Sequence, residues 1–134
     1  MAIYFIDSNI WLYGIINSDS RKTTIAQDLI DKKKRETVIS TQIINEVCVN
    51  LIRKVNFNED QIEELILSFY DDYSVYELDQ SILLKAVELR KNHRFSYWDS
   101  LVFAAALASG ANVLYSEDMQ NGFTLEGLTI LNPF

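Results

Sequence analysis

The order of apolar and polar runs predicts an α/β protein, a three-layer α/β/α sandwich around a mainly parallel central sheet. Three observations carry this expectation. Short runs rich in β-branched and aromatic residues alternate with longer helical patterns along the chain. The first run, Ile3 to Ile6, is apolar on both faces, as in a central strand covered on two sides. The stretch from Leu101 to Ala108 is apolar all round, as in a helix buried among its neighbours.

After the strand at residues 3–6, residues 10–16 read as a short helix entered through Ser8 or Asn9. Residues 23–33 form a second helix that ends in the basic run KKKRE. A β-branched strand at 37–40 leads into a helix at 41–55, where Ile43, Ile44, Val47, Leu51 and Val55 share one face. Asn58 and Gln61 match a capping box, and Glu59 and Asp60 suit the positive end of a helix dipole, so 59–72 is helical. A strand is expected at 74–76. Asp79 caps a helix reaching residue 91, and Ser96 caps another that Gly110 stops. Strands at 112–115 and 128–131 complete the pattern.

The chain of 134 residues suits one domain spanning 1–134, with no linker, repeat or low-complexity tract to divide it. Cys48 is the only cysteine, which excludes an intrachain disulfide and a cysteine-rich metal site and fits a reducing compartment. The start lacks the basic segment and cleavage site of a signal peptide, and no apolar run is long enough to cross a bilayer. The expected location is the cytoplasm, without a membrane partner. A formal charge of −7 argues against generic, field-driven binding of nucleic acid. It leaves open a nuclease whose carboxylates are neutralised by cations.

Four carboxylates stand where an open α/β sheet binds its ligands, at the carboxyl ends of strands. Asp7 directly follows the first strand and serves either as a helix cap or as a ligand. Glu46, in STQIINEV, lies about a turn and a half into its helix; taken alone it reads as a solvated surface residue, although it is long enough to lean back to the sheet edge. Asp99, in SYWDSLVFAAALA, matches a capping box with Ser96, yet it opens the helix expected to be most buried. Asp118, in LYSEDMQNG, follows another buried strand, with Glu117 as a neighbouring alternative. Converging carboxylates repel unless a cation is present, and a hard oxygen set without His or Cys suits Mg²⁺, with Mn²⁺ as the other candidate. The single histidine, His93, sits in a polar loop and reads as a surface residue, which leaves no pair of histidines for acid/base catalysis. Chemistry carried by carboxylates and a bound metal is what remains.

The ordered segments FIDSNIWLY, STQIINEV, YWDSLVFAAAL and LYSEDMQNG resemble those of PIN domains, above all the toxin ribonucleases of the VapC type, over essentially the whole chain. The resemblance implies a PIN-like fold and a metal-dependent endoribonuclease, the toxin of a toxin–antitoxin pair, with RNA as substrate. It carries the acidic positions onto Asp7, Glu46, Asp99 and Asp118, with Ser8, Asn9 and Ser116 as polar supports. In the expected arrangement Asp7, Asp99 and Asp118 hold the principal ion and Glu46 orients water or a second ion. A homodimer and a cognate antitoxin are the implied protein partners. Among basic residues, Arg90, Lys91 and Arg94 lead toward Asp99 and are the candidates for phosphate contacts, whereas residues 32–36 read as a solvated helix end. Trp11 and Tyr13 are candidates for a protein interface, and most of the aromatics are expected in the core. A PIN-type RNA-processing nuclease without an antitoxin, and a non-catalytic binding module, are the competing readings. A haloacid-dehalogenase-like phosphoacceptor would want a second Asp where Asn9 stands.

Overall fold

The computed structural model describes residues 1–134. Its strands are β1 (Tyr4–Ile6), β2 (Thr37–Ser40), β3 (Ser74–Tyr76), β4 (Val113–Tyr115), β5 (Thr124–Leu125) and β6 (Leu128–Leu131). Its helices are α1 (Ser8–Ile15), α2 (Ser20–Lys33), α3 (Thr41–Val55), α4 (Glu59–Asp72), α5 (Gln80–Asn92) and α6 (Tyr97–Ala108). The sheet order is β3-β2-β1-β4-β6-β5, parallel except where β5 pairs antiparallel with β6. Helix packing falls into two sets, α1 to α4 and α5 with α6. Given right-handed crossovers, the first set covers one face of the sheet and the second the other.

The chain steps outward from β1 to β2 and β3, then returns to the far side of β1 as β4. The strand order therefore reverses between β1 and β4, and the crevice beyond their carboxyl ends is where such sheets bind ligands. Register fixes what meets there. Ile6 pairs with Tyr115, so Asp7 and Ser116 emerge side by side, with the Asp7 amide donating to the Tyr115 carbonyl at 2.9 Å.

Phe5, Ile6, Ile39, Leu114, Leu128 and Ile130 supply the sheet's buried side chains. Ser100 to Ala106 of α6 are all buried, as their all-round apolar character requires. The Asn58–Gln61 capping box is complete, with both reciprocal bonds formed.

Several local features depart from the sequence reading. Helix α1 is capped by Asp7, whose Oδ1 accepts from the Ser8 amide at 2.8 Å, so neither Ser8 nor Asn9 takes that role. Helix α2 starts three residues earlier than expected, because Asp19 caps it by accepting from the Lys22 amide. The β5–β6 hairpin was not anticipated. Its two turn residues, Glu126 and Gly127, both have positive φ (49° and 84°), as a tight hairpin of this kind demands. Glu126, in this costly conformation, pairs with Lys85 of α5, which donates to its Oε2 at 2.6 Å. Trp11 is not an interface residue. It is buried, its ring sits edge-on to Phe69 and Tyr73, and its indole donates to the Ile6 carbonyl.

Candidate functional site

Asp7, Glu46, Asp99 and Asp118 line one cleft of about 830 Å³ at the β1–β4 reversal. The four acidic positions come from four different parts of the chain. β1 delivers Asp7, α3 Glu46, the first turn of α6 Asp99, and the turn after β4 Asp118.

Asp7 is the centre of the arrangement and is only 5% exposed. Its Oδ1 caps α1, while its Oδ2 accepts from the buried Ser116 hydroxyl at 2.7 Å. The capping carboxylate is thus also one that lines the cleft. Burial pushes its pKa up to about 6; the Ser116 and Ser8 donors oppose that rise, and the negative charges of Glu46 and Asp99 add to it. Asp99 is half-buried and its pKa is likewise raised, first by burial and then by Asp118 and Glu46, against the opposing Ser96 hydroxyl. That hydroxyl also caps α6 by accepting from the Asp99 amide.

Glu46 is not the solvated surface residue its position on the helical wheel suggests. It is half-buried, and both carboxylate oxygens are occupied: Oε2 accepts from the Ser8 hydroxyl at 2.7 Å and Oε1 from the Gln42 amide at 2.8 Å. Asp118 is the exposed member, and its Oδ2 accepts from the Asn9 side-chain amide at 3.1 Å. The other end of that amide accepts from the Glu117 N–H, so Asn9 ties α1 to the turn that carries Asp118. Glu117 itself is committed elsewhere, to Lys22. Burial alone would raise the Glu117 pKa, but Lys22 and Tyr13 outweigh it and bring the carboxyl below its ordinary value. The side chains of Ser8, Asn9 and Ser116 each donate to one of the four carboxylates, and the Ser8 amide donates to a second.

No three Asp, Glu, His or Cys side chains converge closely enough to form a ready-made metal cage. The donor set nonetheless fits a hard divalent cation. It consists of oxygens alone, and none of the four carboxylates is ion-paired with a lysine or arginine. Mg²⁺ in particular retains several waters and takes only one or two carboxylates directly, so an open set is compatible with it.

The structure adds residues that motif reading missed. Gln42, Asn50 and Arg53 share the cleft-facing stripe of α3 with Glu46, and Trp98 stands beside Asp99. A polar stripe at helical spacing on an otherwise apolar helix was the available signal. Trp98 is 65% exposed, outside the core where most aromatics were expected, and Tyr97 and Tyr70 are exposed as well. His93 is not a simple surface residue either. Its ring packs edge-on against Phe123 at 5.3 Å, in a smaller pocket shared with Arg94, Asp99 and Asp118.

The basic groups divide by location. Arg90 and Lys91 are exposed on the last turn of α5, and Arg94 follows. Residues 32–36 lead into the start of β2, at the opposite edge of the sheet from the carboxylates. There Lys32 pairs with Asp28, Lys34 with Asp72, and Lys33 lies over the Tyr4 ring.

The PIN domain model matches residues 4–121. The chain belongs to the PIN domain family. No curated protein matches its sequence significantly. Solved structures share the PIN fold at low identity. A toxin–antitoxin complex from Klebsiella pneumoniae superposes with a TM-score of 0.73 at 17% identity, over 98% of each chain. VapC20 of Mycobacterium tuberculosis, described as a toxin cleaving the sarcin-ricin loop, gives 0.71 at 18% identity, over 86% of this chain and 89% of its own. DNA-bound VapBC from Salmonella typhimurium gives 0.70 at 15% identity, over the full length of both chains. In this PIN domain no helix is long and apolar enough to cross a membrane.

Proposed function

We propose that this PIN domain is a divalent-metal-dependent endoribonuclease and the toxin of a toxin–antitoxin pair. The observation that carries the reading is Asp7: a buried carboxylate facing two others at the strand-order reversal, without a protein cation to balance it. Such a group is costly in a fold unless something positive visits it. In this reading Asp7, Asp99 and Asp118 hold the ion, and Mg²⁺ is preferred over Mn²⁺ as the resident metal. When bound, the cation supplies charge stabilisation at the scissile phosphate and lowers the pKa of a water. Glu46, fixed by Ser8 and Gln42, orients the attacking water and receives its proton. Ser116 holds Asp7 in its rotamer, and Asn9 holds Asp118.

The neighbours described as toxin–antitoxin complexes support a cognate antitoxin as protein partner, with a homodimer as the working assembly. Exposed apolar side chains on α3 and α5, among them Val49, Ile52, Leu84 and Val87, provide surface for such contacts.

The test is incubation of purified, antitoxin-free protein with total cellular RNA in Mg²⁺, Mn²⁺ or chelator, followed by sequencing of new 5′ ends. Discrete cuts that need metal and disappear in Asp99→Asn are expected. Cuts that persist in chelator would exclude the metal-dependent reaction.

Arg90, Lys91 and Arg94 serve as phosphate contacts in this reading, and Arg53 extends the basic rim on the α3 side. Reversing charge at Arg90 and Arg94 together is expected to weaken RNA binding and to reduce the salt slope of log K by about 1.4, two phosphates at about 0.7 each for a single strand. An unaltered slope would remove both residues from the interface.

A further inference from the structure

We infer that Gln42 is a positioning residue of the cleft, whose role is the bridge its amide nitrogen makes and whose unpaired buried oxygen is the consequence of that bridge. The inference rests on the metal-dependent reading above. Gln42 is 6% exposed, one turn before Glu46 on α3. Its Nε2 donates to Glu46 Oε1 at 2.8 Å and to the Trp98 backbone carbonyl at 3.3 Å. One amide group thus joins the Glu46 carboxylate to the first turn of α6, next to Asp99.

The other half of the same amide is unsatisfied. Gln42 Oε1 is the sole buried side-chain nitrogen or oxygen without a hydrogen-bond partner. Turning the amide over would not help, because its oxygen would then face a carboxylate and a carbonyl, both of them acceptors. The orientation is therefore fixed by the two acceptors, and an unpaired buried oxygen is its consequence. A buried polar group left unpaired is destabilising, and an apolar side chain of similar shape removes that penalty while forfeiting the bond to Glu46, so the two contributions oppose each other. Packing alone would favour methionine or leucine here. What the glutamine adds is the orientation of Glu46, whose second oxygen is held by Ser8, and the fixed separation of α3 from α6 across the cleft.

The experiment uses Gln42→Met and Gln42→Leu in the full chain and has two readouts: thermal melting in chelator and Mn²⁺ affinity by calorimetry. The expected result is a melting temperature close to that of the wild type, because the variant loses the bond to Glu46 along with the unpaired oxygen, together with Mn²⁺ binding weakened about tenfold, the lower range for loss of a group that orients a ligand, here Asp99 through the neighbouring Trp98 carbonyl. A purely structural role would move both in the same direction. Wild-type Mn²⁺ affinity in either folded variant, or a loss of affinity that only follows a fall in melting temperature, would overturn the inference alone. A wild-type protein that binds no Mn²⁺ would overturn the underlying metal reading and this inference with it.

Discussion

Asp7→Asn is expected to stabilise the metal-free protein at pH 7.5 while lowering metal-dependent RNA cleavage by at least about 100-fold. The two effects have one cause. The folded protein holds the Asp7 carboxyl at a pKa of about 6, above the ordinary 3.8, chiefly because the group is buried. A carboxyl with a raised folded-state pKa favours folding fully below about pH 4, and that contribution is lost as pH rises through about 6. At pH 7.5 the wild type therefore carries the whole penalty of a buried anion. Moving a carboxyl from 3.8 to about 6 corresponds to about 3 kcal/mol, an upper bound on what the neutral asparagine recovers. For a domain of this size that is a rise in Tm of about 10 °C. Melting in chelator across pH 4 to 8 checks the sign, since the two proteins should converge toward pH 4 and diverge above pH 6. Added Mg²⁺ or Mn²⁺ should raise the wild-type melting temperature and leave the variant's nearly unchanged. Equal melting at pH 7.5 would show that Asp7 carries no charge penalty.

The stability that Asp7 forgoes also explains why it was the most legible member of the site. A strand apolar on both faces that ends in a carboxylate is a local contradiction, and a short sequence window is enough to display it. The layer order and the buried α6 were legible for a similar reason, since each depends on the period and length of apolar runs. Glu46 was far less legible. Its partners, Ser8 and Gln42, come from the next strand-to-helix turn and from one turn back on the same helix, and only the first contact is a product of tertiary folding. Gln42 announces nothing by itself, because an amide four residues before a carboxylate is common on solvated helices. The β5–β6 turn was hidden because Glu126 is a poor residue for positive φ, and the lysine that pairs with it is 41 positions away. Aromatic placement was legible only on average: Trp11 and Trp98 occupy similar positions at helix starts, yet one is 4% exposed and the other 65%. That difference is set by what packs above each ring, which a single sequence does not record.

The exposure of Trp98 leads to the second large effect, on RNA affinity. Its ring contacts Tyr97 edge-on at 5.5 Å and is 65% exposed, on the turn that carries Asp99 at the edge of the cleft. Removing it should cost the fold little, because side chains this exposed contribute within about 0.5 kcal/mol. At the mouth of the cleft proposed to take up a phosphodiester, the same ring offers a face for a nucleobase. Stacking of a base on an aromatic side chain contributes about 1–3 kcal/mol, so Trp98→Ala should weaken single-stranded RNA binding about 5- to 150-fold. Trp98→Phe should keep most of the affinity, since the face is retained. The wild type carries its own reporter: Trp11 is buried and Trp98 is exposed, so the red-shifted part of the tryptophan emission comes from Trp98. RNA added in chelator should quench that component, with cleavage suppressed, and Trp98→Ala should lack both the component and the quenching. Full affinity in Trp98→Ala, with wild-type melting, would assign this surface to a protein contact and leave RNA recognition to the backbone contacts of the basic rim.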